Sequence, residues 1–428
     1  MNGVSSGRIY TSATTPVNSP YSTQLLNAVN KKLNNPDQAE SYPYWPNTLE
    51  VFLATRLPKD HTVSTGKLTG FIASFVICYN QFMKQFIDLP KLKEGDQVGI
   101  ISPSEGLPGL FPWVQDLGLK RLHDVFGLVS IEYPTTRQMK APLKARAQDV
   151  MEAFKDTSNK AVIASIGGDD QIELLKYLEP QVFVNNPKPF FGYSDNTHLH
   201  NFLWCLGIPS YYGGSIMTQY AMQENMHDLT VKYIKKALFE GGEADLDVSE
   251  EFNDESLDWS IKENLNKPRK MELNDGWFWS GTKNTKGVLW GGCMESLLEE
   301  FTVGKYLPSE NDLFDTVLFL ESAGDIPEPW LVEYLLVGMA KRDWFNKFRA
   351  VLIGRPKAWE FDKQKSTAEK SAYRNKQRRV ILSTIREYNE EIPIIQNIDF
   401  GHTDPQIVLP VGGMVKVDST SQKITISY

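Results

Sequence analysis

Cysteine is scarce in this 428-residue chain. Cys78, Cys205 and Cys293 are the only three, and no two of them form a CxxC pair. That count argues against a disulfide scaffold and against a thiolate zinc site. A reducing compartment is the expectation, and Cys205, inside the apolar run 202–206, reads as a small buried hydrophobe. Long apolar runs are missing as well. The most hydrophobic stretch, residues 71–78, is less than half of the roughly 20 residues a bilayer span needs. It also lies too far from Met1 to read as an ordinary signal peptide, so a cytoplasmic protein without a membrane partner is expected. Positive charge is short too: 45 Lys and Arg stand against 53 Asp and Glu, a net charge of −8. Binding a phosphate backbone needs clustered cations, so a nucleic-acid polymer is not an expected partner. The one basic run, Lys376-Gln377-Arg378-Arg379, falls on a helical pattern and reads as a solvated face.

What is present is ordinary globular material. Apolar residues make up 41% and charged residues 23%, enough for real cores in two to three domains. Residues 1–90 read as a poorly ordered leader, with one or two short elements around 65–88 and no visible chemistry. From Lys93 the pattern alternates. Strands are expected over 97–101, 128–133, 161–166 and 189–191. Helices are expected after 110 (Leu110, Val114, Leu117, Leu122 and Phe126 on one side), over 143–154, up to 178 and from 197. Such alternation predicts a parallel α/β sheet, whose ligands gather at the carboxyl ends of the strands. The turns at 102–106, 167–170 and 192–196 should therefore share one face. Residues 243–285 break the rhythm and read as an acidic inter-domain connection or lid. The remainder, 286–428, resumes with strands over 287–292, 316–320, 350–353 and 392–398. A long helix should open at Ser366, where Ser366 and Glu369 form a capping box. The organisation expected is thus a leader (1–90), a first domain (91–242), the connection (243–285) and a second domain (286–428).

Three residues close apolar strands with reactive groups. His402 follows a strand and a glycine, which suits a general base. Ser194 stands at a strand–turn–helix junction, where either it presents its hydroxyl or Ser194 or Asp195 caps the following helix. Glu321 ends the strand Val317–Leu320 and either is solvated or orients a histidine. Gly167-Gly168 permits close backbone approach to an anion or oxyanion, with Asp169 as an N-cap, but matches no nucleotide loop. His198 and His200, spaced i, i+2 on a helix, cannot face one ligand and read as helix surface or packing. His123 and His227 sit beside Asp124 and Asp228 in local polar settings, and His61 falls in the leader.

Read in order, these segments resemble the serine peptidase family of LD-carboxypeptidases and microcin C immunity proteins. The resemblance rests on Gly192-Tyr193-Ser194-Asp195-Asn196-Thr197-His198-Leu199-His200, preceded by Gly95–Ser104 and Ile166-Gly167-Gly168-Asp169. Leu289-Trp290-Gly291-Gly292, Leu318-Phe319-Leu320-Glu321 and Phe400-Gly401-His402 follow. It spans roughly residues 90–428. It implies a flavodoxin-like parallel-sheet N-terminal catalytic domain and a smaller β-rich α/β C-terminal domain, assembled as a homodimer. It further implies Ser194 as nucleophile, His402 as general base, Glu321 as its orienting carboxylate, and main-chain N–H groups of Gly168 and Asp195 as the oxyanion site. No metal and no cofactor are implied. The turn at 166–170 and the connection with Trp259 and Trp277 resemble the immunity branch, whose loop tryptophans stack on adenine. The substrate implied is a small peptide or a peptidyl-nucleotide amide. Leu265 stands where a second loop tryptophan is expected, and Gly291-Gly292-Cys293-Met294 replaces the usual Gly-Gly-Asn-Leu. Two alternatives accompany this reading: a murein tetrapeptide carboxypeptidase releasing D-alanine, and a catalytically silent small-ligand-binding protein.

Overall fold

The structure is a computed structural model, and it describes residues 84–428. The leader elements expected at 65–88 fall almost wholly outside this range, as do Cys78 and His61; residues 84–93 carry no helix or strand.

Five strands build the first sheet: β1 (Gln97–Ile101), β2 (Val129–Glu132), β3 (Asn159–Ala164), β4 (Phe190–Gly192) and β5 (Ser210–Tyr212). Every pairing among them is parallel, in the spatial order β2-β1-β3-β4-β5. This is the flavodoxin-like doubly wound order, with its topological switch between β1 and β3. Helices α1 (Pro112–Phe126) and α2 (Leu143–Lys155) cross over between the first strands. Because helices cover both faces, β3 and β4 are buried along almost their whole length and read as continuous apolar runs. The first helix begins later than the periodicity suggests. Pro112 takes its first turn, a short 3-10 turn precedes it, and Leu110 is 53% exposed rather than in the core. The helix expected up to 178 is split, with an α turn at Gln171–Leu174 followed by a 3-10 turn at Leu175–Tyr177. A third long helix, α3 (Thr197–Cys205), follows β4.

The second sheet draws on later sequence. It contains β6 (Glu243–Asp245), β9 (Phe278–Ser280), β10 (Thr285–Cys293), β11 (Thr316–Glu321), β12 (Ala350–Gly354), β13 (Ile394–Ile398), β15 (Met414–Asp418) and β16 (Lys423–Ser427). Its centre, β10-β11-β12-β13, is parallel, and antiparallel strands flank it on both sides. Between the sheets, β7 (Glu251–Phe252) and β8 (Glu272–Leu273) pair as a separate antiparallel ribbon. The strand β14 (Leu409–Val411) returns to the first sheet and pairs with β5. One core joins the two sheets, so that Trp204 from α3 packs in the same cluster as Leu289 and Trp290 of β10.

The helices of the second half are α4 (Met294–Val303), α5 (Pro329–Lys341) and α6 (Thr367–Tyr388). α6 opens with the expected capping box, Ser366 and Glu369 satisfying each other's backbone N–H groups. Its basic run is only partly solvated. Lys376 and Arg379 are exposed, but Gln377 is buried and the Arg378 guanidinium lies 3.7 Å over the ring of Phe278. Among the described residues, no helix is long and apolar enough to cross a membrane.

Candidate active site

The carboxyl ends of β1, β3 and β4 open onto one cavity of about 440 Å³. Glu105 follows β1 there, Gly167 and Gly168 follow β3, and Tyr193 and Ser194 follow β4. The three turns read from the sequence thus share one face, as the parallel topology requires.

Ser194 is held in a tight turn at φ +64, a left-handed conformation that a non-glycine residue rarely adopts. Several bonds hold it there. Its N–H donates to the Tyr212 hydroxyl at 3.0 Å, and its carbonyl accepts from Thr197 Oγ1 at 2.7 Å. Thr197 Oγ1 in turn accepts the Cys293 N–H at 2.9 Å, which fastens the turn to the second sheet. Gly292 makes that approach possible, because a Cβ there would lie 2.4 Å from Thr197 Cγ2. Neither Ser194 nor Asp195 caps α3 through its side chain; Asp195 Oδ2 instead accepts the Gln171 N–H at 3.1 Å. Asp170, not Asp169, takes the N-cap position of the next helix, without a capping bond, and pairs with Arg146.

Ser194 Oγ lies 3.0 Å from His402 Nε2, and His402 Nδ1 lies 2.7 Å from Glu321 Oε2. Glu321 Oε1 accepts a 2.6 Å bond from the Tyr212 hydroxyl. The carboxylate acceptor makes Nδ1 the protonated nitrogen and leaves Nε2 to accept from the serine. Burial alone would depress the imidazole, but the charge and hydrogen bond of Glu321 outweigh it, so His402 titrates above the ordinary 6.5. Gly401, at φ +95, lets the histidine loop close onto Glu321, since a Cβ there would sit 2.7 Å from Glu321 Oε2. A hydroxyl, a base and an orienting carboxylate in hydrogen-bond sequence can generate an alkoxide-like nucleophile. The missing Cβ of Gly167 would lie 3.4 Å from Ser194 Oγ, so the glycine turn brings main chain directly beside the hydroxyl.

Family models match both halves of this arrangement: the LD-carboxypeptidase N-terminal domain over residues 98–213 and the LD-carboxypeptidase C-terminal domain over residues 286–417. The chain belongs to the peptidase S66 family of LD-carboxypeptidases. Relatives within this S66 family include a Treponema pallidum protein provisionally named a carboxypeptidase. It is 28% identical over 348 residues, covering 79% of this chain and 95% of its own. The microcin C7 self-immunity protein MccF of Escherichia coli is 24% identical over 288 residues, covering 67% of this chain and 78% of its own. Among solved structures, an MccF-like protein from Streptococcus pneumoniae in complex with AMP superposes with a TM-score of 0.69. It is 27% identical and covers 78% of this chain and 99% of its own. The mixed α/β architecture with a parallel N-terminal sheet is therefore that of the S66 peptidases.

The connection supplies one wall of the cavity, through Asn253, Asp254, Ser256, Trp259 and Arg269. Trp259 packs with Phe111, Trp113 and Leu265, and its carbonyl accepts from Trp113 Nε1 at 2.8 Å. Leu265, standing where a tryptophan was expected, lies in that apolar group. Trp277 is not brought to the cavity. Its Nε1 donates to Asp399 at 3.1 Å and its ring packs on the main core, because it directly precedes the edge strand β9.

Anchoring of this wall was invisible in the sequence. Lys370 of α6 is fully buried, and its ammonium meets Asp254 at 3.0 Å, Glu255 at 2.6 Å and also Glu272. Arg374 joins Asp254 and Glu272, and the guanidinium groups of Arg355 and Arg374 lie 4.4 and 4.6 Å from the centre of the Phe252 ring. Asp254, Glu255 and Glu272 form the group of carboxylates compact enough to hold a cation among the described residues, and Lys370 already supplies the positive charge.

The two histidines of α3 are packed inside rather than on a surface. His198 is fully buried against Glu300 (3.0 Å) and Glu299 (3.1 Å) of α4. Burial works against its charge, but these carboxylates prevail and push it up to about 9. His200 bonds Ser210 Oγ at 2.7 Å and the Gly192 carbonyl at 2.9 Å, and burial holds it neutral at about 4. Cys205 is half-buried and Cys293 buried, both as free thiols.

Proposed function

We propose that this protein is a serine-type carboxypeptidase or amidase of the microcin immunity kind. It would hydrolyse the amide between the C-terminus of a peptide or amino acid and a nucleotide-like group. The observation that carries the reading is the continuous hydrogen-bonded sequence from Ser194 through His402 to Glu321 at the mouth of the cavity. In the reaction Ser194 Oγ attacks the carbonyl carbon as His402 Nε2 takes its proton, and Glu321 stabilises the imidazolium. Main-chain N–H groups of Asp195 and Gly168 receive the developing oxyanion. His402 then returns the proton to the leaving nitrogen, and water hydrolyses the acyl-enzyme by the same relay. Trp259, on the connection wall, supports a nucleotide-like leaving group, since base stacking on an aromatic ring is worth about 1–3 kcal/mol.

The test is incubation with processed microcin C, wild type against Ser194→Ala. Serine-dependent release of the nucleotide moiety is expected. Release of D-alanine from a murein tetrapeptide, with the nucleotide conjugate untouched, would assign the other branch. Tight ligand binding without turnover or labelling of Ser194 would assign a silent binding protein.

A further inference from the structure

The cavity holds two cationic side chains, Arg269 and Lys357, each paired with one carboxylate. Arg269 pairs with Asp404 and keeps a buried Nε without a partner among the described residues, but it is Lys357 that stands across Gly324 from His402. Lys357, in the loop after β12, is only 8% exposed, yet its ammonium makes a single hydrogen bond among the described residues, to Glu360 Oε2 at 2.5 Å. An ammonium has three donors, so two N–H groups remain to face the cavity. A buried charge with unused donors is costly unless something completes its shell.

Its position is specific. Lys357 Nζ and His402 Cδ2 each lie 3.5 Å from the point where a Cβ on Gly324 would stand, so the two flank a bare glycine. The Lys357 charge is felt at the imidazole, where it opposes the effect of Glu321. In acyl transfer the base that deprotonates the nucleophile hands that proton to the departing nitrogen. The leaving group must therefore lie at Nε2, and Cδ2 is the ring carbon bonded to Nε2. Lys357 Nζ and that ring edge meet across Gly324, which puts the ammonium near the side on which the leaving group must lie.

We infer that Lys357 binds an anion carried by the leaving group, a terminal carboxylate or a phosphoryl group, which competes with Glu360 for the ammonium. This rests on Ser194 and His402 being the reacting pair. The site makes the protein select the fragment it releases by that fragment's negative charge. Lys357 is thus a specificity residue on the departing side of the bond.

Binding can be read without turnover. In a Ser194→Ala background, titration calorimetry would compare a murein tetrapeptide ending in D-alanine with its D-alaninamide form, and AMP with adenosine. One or both anionic members should bind about 10–100-fold more tightly than their neutral partners, the range for a charge-assisted hydrogen bond. Adding Lys357→Met should bring that ratio close to one, and Lys357→Arg should keep most of it. A ratio lost only for the peptides assigns the carboxylate, and one lost only for AMP assigns the phosphoryl group. Glu360→Gln, which frees the ammonium, should tighten the anionic probe several-fold and carries the test if Lys357→Met does not fold. Ratios unchanged by Lys357→Met, no anion preference at all, or no binding of any probe would overturn the inference. Failure of the function itself reads out separately, as wild type that neither turns over substrate nor reacts at Ser194 with a serine-directed probe.

Discussion

The Tyr212 hydroxyl donates a 2.6 Å hydrogen bond to Glu321 Oε1 while accepting the N–H of Ser194. One buried phenol at the end of β5 therefore joins the backbone of the serine to the carboxylate that holds the histidine. Burial and the nearby carboxylate keep it protonated well above the ordinary tyrosine range, so it remains a donor at any working pH.

Tyr212→Phe keeps the ring packing and deletes both bonds. A buried donor and a buried acceptor left unpaired cost about 1–3 kcal/mol. Denaturant unfolding should show a loss of that size. If the loss falls on the reaction barrier, labelling of Ser194 by a serine-directed probe should slow about 10–100-fold. Unchanged labelling would mean that the phenol supports the fold alone.

Glu321→Gln should move the acid limb of the kcat/KM profile to lower pH. The limb reports the base in the free enzyme. Glu321 is the main influence raising His402, and burial, which remains, lowers it. The plateau should also fall, by about 10⁴-fold if the Asp→Asn result in serine-protease triads carries over. A limb that stays in place would separate His402 from the kinetic base.

His198→Gln should destabilise the protein in a pH-dependent way. The folded pKa of His198, about 9, stands above its unfolded value of 6.5. Its protonated form therefore contributes stability that is fully present below pH 6.5 and is lost as pH rises through 9. The stability difference between wild type and variant, from urea unfolding, should be larger at pH 7.5, where Glu300 (pushed up to about 7 by burial) is still charged, than at pH 9.5.

Lys370→Met should loosen the connection. It leaves Asp254 and Glu272 with Arg374 and Glu255 with the exposed Lys270, and breaking a buried ion pair from one side typically costs about 3–5 kcal/mol. Limited proteolysis should cut within residues 250–275 sooner than in wild type. An unchanged cleavage pattern would show that the Phe252 contacts with Arg355 and Arg374 hold this segment without the lysine.

Trp259→Ala should weaken AMP binding by about 1–3 kcal/mol if the indole stacks on the base. Trp277→Ala should leave AMP affinity unchanged but lower stability, because that indole is tied to Asp399 away from the cavity. Calorimetry on both variants separates the two tryptophans.

What the sequence made legible follows from period and strand ends. Buried parallel strands are short apolar runs whose carboxyl ends gather on one face, so Ser194, Glu321 and His402 stood out as candidates, while their roles as nucleophile, orienting carboxylate and base were implied only by the family resemblance. Tyr212 did not stand out, because it ends a three-residue strand whose neighbour Tyr211 is equally apolar in pattern. The Lys370 network was equally hidden. Its partners lie 98 to 116 residues away, and nothing local marks a lysine that will be fully buried. Leu110 was misplaced because apolar spacing continued through a stretch where Pro112 sets the true start of the helix. Trp277 fits either surface on sequence alone, as a ligand-stacking ring or a plain core aromatic, because a loop tryptophan looks the same whether it stacks on a ligand or donates to a buried aspartate.

The serine and the histidine it meets are 208 positions apart in the chain. They sit on different sheets, and the last strands, β14 to β16, follow the histidine. On the proposed mechanism the serine emerges during synthesis long before its base, so a chain that stops short of His402 would carry an inert serine. On that mechanism, reactivity of Ser194 reports in a single measurement that the two sheets have been made and joined.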